Sequence, residues 1–497
     1  MGFFIKSIYY DHKDIDFLTS EYNYFKNNFT ILIGKNGTGK SRLLSTIVKT
    51  LCSIQVGNKL LKREFNNFFS FESNETHNEI NILNNNSFYK ITIDGRTIKT
   101  NNVYPNRKHD NLLPSNIISV STSPFDKFPE ENDYYSPKNK SLTNYFYSYY
   151  GLKNNFKTNP VRVLIEKILF RSSPTEKSRK KKSFINVLNY LGYKPLITAK
   201  FRLKYSIKNL NKILVESSSE EFLEFMFTSS AYNPKSFFKD HESAYLEIKE
   251  AIQSLQKLLI NIENDRHLII TIDYDKDSVD VQDQSLDKIQ ILFDIGLISL
   301  LDLLLFPKAN YNLSYDNEFY SVSLSNTSSG QQCILLSTLG IASSISDNSL
   351  ILIDEPEISL HPEWQETYIE LLMEVFDDYR GCHFIIATHS PQMISNLKKD
   401  NCYITQIESG EVFSANQYID KSVDFQLAIL FDAPGQENEY LKRIAINILS
   451  NLSAGNKFDF NNSLELKTLE QNYHNLSNTD SVKNLIDLIF EARRRLQ

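Results

Sequence analysis

A glycine-rich segment near the N-terminus carries the residues of this chain that are best suited to chemistry. The apolar run Phe29 to Ile33 leads into Gly-Lys-Asn-Gly-Thr-Gly-Lys-Ser, which has the spacing of a phosphate-binding loop, G-x-x-x-x-G-K-[ST]. Glycines allow backbone N–H groups to turn toward phosphate oxygens, where a Cβ would crowd them. We therefore predict a nucleotide site that uses Gly34, Lys35, Asn36, Gly37, Thr38, Gly39, Lys40, Ser41 and Arg42.

Two residues at the end of this loop have separate expected roles. Lys40 is expected to reach the β- and γ-phosphates, and Ser41 to ligate Mg²⁺. A strand before the loop and a helix after it distinguish a phosphate loop from a glycine-rich surface turn. The helix is indicated by the apolar spacing of Leu43, Leu44, Ile47 and Val48.

Polar residues follow two further apolar strands. Leu350 to Ile353 leads into Asp354 and Glu355, and the carboxyl ends of parallel strands are where such sheets bind ligands. We expect Asp354 to hold Mg²⁺ through water and Glu355 to polarise the attacking water, because phosphoryl transfer needs a positioned nucleophile. His389 follows the run 382–387 and is a candidate γ-phosphate sensor, with a structural role as the alternative.

A fourth group of residues stands before an apolar helical pattern. Ser328, Ser329, Gly330 and Gln331 precede Cys333-Ile-Leu-Leu. A helix N-terminus of this kind presents hydroxyls, free N–H groups and a positive dipole end. These groups suit the binding of a phosphate, and plain helix capping is the alternative.

The length of 497 residues predicts about three structural units, at about 150 residues each. The patterns place an N-terminal half of an α/β head at 1–130 and a mostly helical insertion at 131–285. The second half of the head is expected at 286–410, and a helical C-terminal extension at 411–497.

Several elements within these units can be predicted from local patterns. Strands are expected at 3–10 and 117–121, an antiparallel meander with an Asp94-Gly95 turn between 63 and 101, and a re-entering strand at 267–272. Helices are expected at 161–170, 245–260, 441–449 and 482–490, a hairpin at 311–324, and a buried helix at 289–306.

The charge balance limits the classes of partner. The net charge of −6 argues against uniform coating of nucleic acid. One basic run, Lys177 to Lys182, is read either as a solvated loop or as a contact with nucleic acid or a partner. The four cysteines form no C-x-x-C pair, so we expect neither a disulfide framework nor a zinc ribbon, and a reducing, cytoplasmic setting fits best.

Neither a secretory signal nor a membrane span is expected. The N-terminus lacks a basic region followed by a long apolar core. The most apolar long run, 289–306, contains Asp294 and Asp302, and carboxylates near the middle of a span are costly in lipid.

At the phosphate loop, the segment before the apolar helix, the polar end of the strand 350–355 and His389, the chain resembles the ABC-type ATPases of the SMC/RecF group. The head of these ATPases is split by an insertion. The Walker A motif is Gly34–Ser41, the signature is 328–332, Walker B is 350–355, the D-loop region is 359–362, and the switch histidine is His389. Glu-Pro-Glu-Ile-Ser-Leu-His-Pro and Ala-Thr-His-Ser-Pro resemble the AAA-15/AAA-21 branch, which includes overcoming-lysogenization-defect nucleases and many phage-defence ATPases.

The resemblance implies a P-loop ABC-type head that binds ATP and Mg²⁺. Two heads would clamp two ATP molecules, so Ser329 and Gly330 would act in trans in a homodimer, with a higher oligomer also open. The family's Q-loop glutamine is replaced by the segment 121–126. Ser123 and Asp126 are the candidates for its role.

No Toprim or HNH pattern accompanies the ATPase motifs. A Toprim site needs an Asp-x-Asp pair to hold metals, but Asp420-Lys-Ser-Val-Asp424 spaces its carboxylates too widely, and Lys457-Phe-Asp-Phe460 has only one. The chain looks like an ATPase without its own nuclease. It resembles the PtuA subunit of Septu and retron-associated Septu systems, with AriA of PARIS as competitor. The resemblance implies a separate HNH (PtuB-like) nuclease subunit and leaves open retron RNA or DNA, or phage DNA, at the basic insertion. A RecF-like DNA-repair ATPase is the alternative function.

Overall fold

The structure is a computed structural model. It describes residues 2–59, 77–85, 87–94, 97–102, 112–130, 146–153, 178–228, 241–257, 262–263, 266–276, 278–279, 288–289, 291–293, 295–308, 321–395, 397, 400–418, 421–454 and 463–496. The predicted helix at 161–170, the hairpin residues 311–320, the turn at Gly95, and the tail residues 420 and 457–460 lie outside these ranges.

Eighteen strands are defined in the described ranges. In chain order they are β1 (Phe3–Tyr10), β2 (Lys13–Asp16), β3 (Asn28–Ile33), β4 (His77–Asn84), β5 (Ser87–Asp94), β6 (Thr97–Asn102), β7 (Ile117–Ser121), β8 (Tyr147–Gly151), β9 (Tyr193–Leu203), β10 (Ile262–Glu263), β11 (His267–Asp273), β12 (Ser278–Val279), β13 (Ile298–Pro307), β14 (Val322–Ser323), β15 (Leu350–Asp354), β16 (His383–Ala387), β17 (Cys402–Gln406) and β18 (Val412–Ser414).

The α-helices in the same ranges are numbered in chain order. They are α1 (Lys40–Lys59), α2 (Ser178–Tyr190), α3 (Ile207–Glu216), α4 (Ser219–Thr228), α5 (His241–Lys257), α6 (Ser329–Ser344), α7 (Pro362–Val375), α8 (Val423–Ile429), α9 (Glu439–Ser453), α10 (Leu464–Asn472) and α11 (Ser481–Leu496). None of these helices is both long enough and apolar enough to cross a membrane.

A seven-stranded sheet forms the centre of the molecule. Its order is β18-β17-β3-β16-β15-β7-β8, and every neighbouring pair is parallel except the edge pair of β17 and β18. Strands β3, β7, β15 and β16 are buried along their whole length, as expected of parallel strands that are covered on both faces. The predicted α/β P-loop fold is therefore confirmed.

A second, antiparallel sheet precedes and follows the first helix in the chain. Its order is β2-β1-β4-β5-β6, so the strand predicted at 3–10 and the predicted meander both form. The meander pairs are joined in simple sequence order, with β4 against β5 and β5 against β6. This sheet packs its apolar side against α1 in one core that includes Ile8, Ile80, Ile91, Leu44 and Ile47.

The insertion differs from the expectation of a mostly helical unit. Helices α2 to α5 are present, but they accompany a sheet in the order β10-β11-β9-β13-β14, with β12 paired to β11. The eleven-residue strand β9 contains Ile197, Ala199, Phe201 and Leu203 at alternate positions, all buried. This period of two, with Thr198, Lys200 and Arg202 between the buried residues, is the strand signal.

The boundaries of the insertion also differ from those predicted at 131 and 285. Strand β8 pairs with β7 and belongs to the central sheet, although it lies beyond residue 130. Strand β13 pairs with β9 in the insertion sheet, although it lies beyond residue 285. An apolar run in the sequence does not reveal which sheet the strand joins, because a strand of either sheet buries apolar side chains.

The predicted helix at 289–306 is wrong over most of its length. Gly296 adopts a φ of +73°, a left-handed conformation that favours glycine and ends a helix. The chain continues as strand β13, whose buried residues Ile298, Leu300, Leu303 and Leu305 face the insertion core. Periodicity alone does not separate a buried strand from a buried helix in a short apolar run.

Residues 178–182 of the basic run are part of a docked helix rather than a solvated loop. Helix α2 begins at Ser178, and the Arg179 guanidinium donates to Asp347 Oδ1 at 2.8 Å. Lys182 Nζ lies 2.7 Å from Asp378 Oδ2. Two cations of the run are therefore paired with carboxylates of the polypeptide that carries the central sheet.

The C-terminal extension is helical, as the patterns at 441–449 and 482–490 predict. Helices α8 to α11 pack around their own apolar cluster, which includes Leu441, Ile448, Leu469 and Ile486. Each of α8, α9 and α10 begins with a side-chain cap, from Ser422, Asn438 and Ser463 respectively, so the helix starts are fixed locally.

One buried histidine joins the central and antiparallel sheets. His383 is fully buried at the start of β16; its Nδ1 accepts from the Ile5 N–H at 3.1 Å, and its Nε2 lies 3.0 Å from Thr30 Oγ1. Because Thr30 Oγ1 donates to the Phe17 carbonyl, Nε2 carries the hydrogen. A proton on Nδ1 would oppose the Ile5 N–H, and burial lowers the pKa of His383 to about 3 from an ordinary value of 6.5.

We expect His383 to make the fold less stable in mild acid. The folded state does not accept this proton, whereas the unfolded chain accepts it below about pH 6.5. The contribution is therefore fully present above pH 6.5 and is lost as the pH falls toward 3, at about 1.4 kcal/mol per pH unit. Urea unfolding at pH 7.5 and 5.5 measures it.

The variant His383→Gln retains one acceptor and one donor but does not titrate. Its stability loss between these pH values should be smaller than that of the wild type by about 1.4 kcal/mol. His361→Gln is the matched control, because the His361 side chain is 71% exposed. Equal pH dependence in the wild type and His383→Gln would contradict this assignment.

Candidate functional site

The phosphate loop lies between β3 and α1 at the carboxyl edge of the central sheet. Gly37 and Gly39 adopt φ values of +83° and +95°, which side chains other than glycine adopt only with strain. A Cβ on Gly34 would lie 2.4 Å from Ile407 Cγ2, so this position also requires glycine. The loop residues 34–42 predicted from the sequence are thus brought together at the start of a helix, where backbone N–H groups favour phosphate.

Lys40 is buried beneath this loop. Only 5% of the residue is exposed, and its Nζ donates to the carbonyls of Gly34 at 2.6 Å and Lys35 at 3.1 Å. Burial lowers the pKa of Lys40, while the nearby carboxylates of Glu408, Glu355, Glu357 and Asp354 oppose that shift. Two carbonyls of the loop therefore hold the ammonium group, and the charges of four nearby carboxylates act on it.

Ser41 and Asp354 meet where a divalent cation is expected. The Ser41 hydroxyl donates to Asp354 Oδ1 at 3.1 Å, across the adjoining ends of α1 and β15. Burial, together with the charges of Glu355, Asp126 and Glu357, raises the pKa of Asp354 to about 7, and the hydrogen bond from Ser41 opposes this shift. A hydroxyl and a carboxylate are the hard oxygen ligands that Mg²⁺ prefers, and a cation would offset the excess of negative charge. The residues present fit Mg²⁺.

Glu355 is held in a strained backbone conformation next to Asp354. Its φ is +49°, a conformation that costs a residue with a side chain about 1–3 kcal/mol. The N–H of Glu355 donates to the Ala387 carbonyl at 2.9 Å, and the Thr122 hydroxyl donates to the Glu355 carbonyl at 2.7 Å. Both neighbouring strands therefore hold this residue from the two sides.

His389 lies beside Glu355. Its Nδ1 is 3.8 Å from Glu355 Oε1 and 3.2 Å from Glu357 Oε1. The His389 side chain is 40% exposed, whereas that of Glu357 is 6% exposed. Asp354, Glu355 and His389 thus lie at the ends of the neighbouring strands β15 and β16.

The signature residues form the N-terminus of α6. Ser328 caps the helix by accepting from the Gln331 N–H at 3.2 Å, and the Gln331 side chain accepts from the Ser328 N–H. Ser329 is exposed at the first turn. A Cβ on Gly330 would lie 2.8 Å from the Ser359 carbonyl and 3.4 Å from the Trp364 ring, so this glycine permits contact with the D-loop region.

The segment that replaces the Q-loop glutamine places Asp126 close to the metal ligands. The Asp126 side chain is fully buried; it accepts from the Tyr149 hydroxyl at 2.6 Å and lies 3.4 Å from Lys153 Nζ. Burial raises the pKa of Asp126, and these partners oppose the shift. Ser123 instead accepts from the Phe125 N–H within its own turn. Of the two candidates, Asp126 is the one whose charge acts on Asp354.

Several residues at the site were not predicted from the sequence. Thr122 and Glu357 contact predicted residues across strands, and Glu408 accepts from the Lys35 N–H at 2.6 Å. Lys35 Nζ also lies 2.9 Å from Asp432 Oδ2, which belongs to the C-terminal extension. The repeated glutamate in Glu-Pro-Glu was the signal available for Glu357, whereas Glu408 and Asp432 have no local motif.

We expect Lys40→Ala to weaken ATP binding by at least about 100-fold, because it removes two contacts to charged phosphates worth about 1.5–3 kcal/mol each. Calorimetric titration with ATP and Mg²⁺ measures the change. Lys49→Ala, on the same helix, is the control and should bind as the wild type does. Normal ATP affinity in Lys40→Ala would contradict the phosphate-loop assignment.

Comparison with known proteins adds relatives of similar length. The chain is 22% identical to the Retron Ec83 probable ATPase of Escherichia coli, over 98% of this chain and 86% of that protein. It is 23% identical to the Retron Vc95 probable ATPase of Vibrio cholerae serotype O1 biovar El Tor, over 80% of this chain and 72% of that protein. The similarity therefore extends over the insertion and extension as well as the ATPase motifs.

The chain is also similar to a solved structure and matches a family of ATPases. The Smc head domain with an extended coiled coil, bound to the C-terminal domain of ScpA, from Pyrococcus furiosus, is 13% identical, with a TM-score of 0.33 and coverage of 84% of this chain and 97% of that one. The family AAA-15, described as AAA ATPase domain, matches residues 18–394. This range contains every ATP-site motif described above, and the chain belongs to the AAA-15 family of ATPases.

Proposed function

We propose that this ATPase is the nucleotide-dependent subunit of a bacterial anti-phage complex that holds or regulates a separate nuclease, of the HNH type. The observation that carries the proposal is the similarity to two retron probable ATPases, combined with the assembled contacts at Ser41, Asp354, Glu355 and His389. The same residues without these relatives would support only an ATPase.

The geometry supports a division of labour within the site. The loop N–H groups and Lys40 bind the phosphates, while Ser41 and Asp354 hold Mg²⁺, which neutralises phosphate charge when bound. Glu355 accepts a hydrogen bond from the attacking water, because its carboxylate adjoins the metal ligand and is 27% exposed. His389, from the next strand, contacts the γ-phosphate and stabilises its developing charge.

The signature residues are proposed to act on the ATP of a second copy. Ser328 and Ser329 are exposed, and α6 presents its N-terminus with them. A helix N-terminus favours an anion whichever chain supplies it. The proposed assembly is a homodimer with two ATP molecules between the Walker A loop of one copy and Ser329 and Gly330 of the other.

The paired state of the basic run weighs against a RecF-like DNA clamp at this place. Arg179 and Lys182 already pair with Asp347 and Asp378, so less of their charge is available to phosphates. The main proposed partner is the nuclease. A nucleic acid, either retron RNA or DNA or phage DNA, is proposed only as an additional contact of the insertion.

We expect Glu355→Gln to bind ATP and accumulate as a closed dimer, because ATP stays bound between the two copies when the attacking water is not polarised. Size-exclusion chromatography with and without ATP measures the dimer. Emission from Trp364, the single tryptophan, gives a second readout because its ring lies against Gly330. Wild-type turnover in Glu355→Gln would remove Glu355 from its role.

A mixing experiment tests the action in trans. Lys40→Ala lacks a working Walker A loop, and Ser329→Arg blocks the signature; neither should hydrolyse ATP alone. An equal mixture should regain ATPase activity, because mixed dimers contain one intact site. A mixture as inactive as its components would contradict the trans arrangement without affecting the ATP site itself.

The defence role is tested in cells that express this chain together with the proposed nuclease partner, sought as an HNH gene beside its own. We expect the pair to reduce phage plating by at least about tenfold, and Lys40→Ala or loss of the nuclease gene to remove the protection, since each component is required. The control is Lys49→Ala. Purified chain that cleaves DNA with Mg²⁺ and without any partner would contradict the separate-nuclease arrangement.

A further inference from the structure

Glu357 is a buried carboxylate that lies between the two residues proposed to act on the γ-phosphate. It follows Glu355 by two positions, and 6% of it is exposed. Its Oε1 accepts from the His389 N–H at 2.7 Å and lies 3.2 Å from His389 Nδ1. One carboxylate oxygen therefore contacts both the backbone and the ring of His389.

These contacts determine which nitrogen of the His389 ring faces the nucleotide. An ionised carboxylate only accepts hydrogen bonds, and the groups around Nδ1 are the carboxylates of Glu357 and Glu355, at 3.2 Å and 3.8 Å. Nδ1 therefore carries a hydrogen that points toward Glu357. Nε2 is the ring nitrogen that remains for a phosphate oxygen, and because that oxygen only accepts, the ring donates to it in the form that carries a hydrogen on both nitrogens. Partners of this kind fix the orientation of a functional imidazole ring.

The second oxygen of the same carboxylate has no donor. Glu357 Oε2 is buried and without a hydrogen-bond partner among the described residues. A buried carboxylate oxygen without a donor costs free energy, and a donor that arrives with the nucleotide would remove this cost. The charge of Glu357 also acts on Lys40 and Asp354, which places this carboxylate within the electrostatic reach of the phosphates.

We propose that Glu357 is a positioning residue of the ATPase reaction, which holds the His389 ring with Nε2 toward the γ-phosphate. The inference rests on the proposed roles of Glu355 and His389. It assigns a separate task to each glutamate of Glu-Pro-Glu: Glu355 contacts the attacking water, and Glu357 acts through His389.

A purely structural role for the Glu357 side chain is not needed by the turn that contains it. The turn is closed by main-chain bonds, from the Ile358 N–H to the Glu355 carbonyl and from the Leu360 N–H to the Glu357 carbonyl. The Gln365 side chain donates to the Leu360 carbonyl. Any residue at position 357 retains its own carbonyl, so the carboxylate is required for His389 and not for the turn.

A double-mutant cycle in steady-state ATP hydrolysis tests the proposal. Glu357→Ala should lower kcat by about 10- to 100-fold, the size of effect found when a supporting contact of a functional ligand is lost, with KM for ATP within about twofold. His389→Ala should lower kcat at least as much. The double variant should be about as slow as His389→Ala, because the ring that Glu357 positions is already absent from that variant.

Glu357→Gln separates positioning from folding. Its amide oxygen still accepts from the His389 N–H and Nδ1, so kcat should lie between those of the wild type and Glu357→Ala while the Tm is unchanged. If Glu357→Ala does not fold, the cycle is measured with Glu357→Gln and His389→Ala instead. Glu363→Ala is the matched control, since the Glu363 side chain is 84% exposed and should leave kcat unchanged.

The results distinguish this inference from the site assignment. A kcat loss in the double variant equal to the product of the single losses, or wild-type kcat in Glu357→Ala, would overturn the positioning role. If the positioning role is overturned in this way but Lys40→Ala is inactive in the same assay, the assignment of the ATP site is still supported. If Lys40→Ala hydrolyses ATP normally, the proposed site itself is wrong.

Discussion

The parallel register of four central strands is the constraint on which the site depends. Asp354 pairs with Ala387 on one side and Ser121 on the other, and Ala387 pairs with Leu32. The chain segments that follow these residues therefore leave the sheet at one level. The phosphate loop, Glu355, His389 and Thr122 come together because of this alignment, although they are far apart in the sequence. A shift of one residue between β3 and β16, or between β16 and β15, would separate the Ser41 hydroxyl from Asp354.

The site was predictable where chemistry and local pattern coincide. The glycines of the phosphate loop must lie in one short segment of the chain to form their turn, so their spacing is visible in the sequence. The contacts of Glu357 and Thr122 are made between strands, and no spacing within one segment records them. The positive φ of Glu355 is also a consequence of its neighbours, since it persists only where surrounding contacts hold it.

The fold was predictable where one face of an element is buried and less so where both are. The antiparallel meander alternates apolar and polar residues, and it forms as expected. Strand β13, Ile-Ser-Leu-Leu-Asp-Leu-Leu-Leu-Phe-Pro, has apolar residues on both of its faces, so its pattern is equally consistent with a helix. The basic run at the start of helix α2 was read as a solvated loop or as a contact with nucleic acid or a partner. The partners of Arg179 and Lys182 lie far away in the chain, and no local pattern shows such pairs.

The insertion and the signature belong to one continuous core, and this connects the nucleotide to the rest of the chain. Helix α2 packs on α6 and β9, and Phe184, Ile334 and Leu339 belong to the same apolar cluster. Close-packed interiors transmit displacement rather than absorb it. A movement of Gly330 toward a second copy would therefore carry α6 and the insertion with it. At the other end of the site, Lys35 contacts Asp432 of the extension, so both appended units adjoin the ATP site through residues next to its binding motifs.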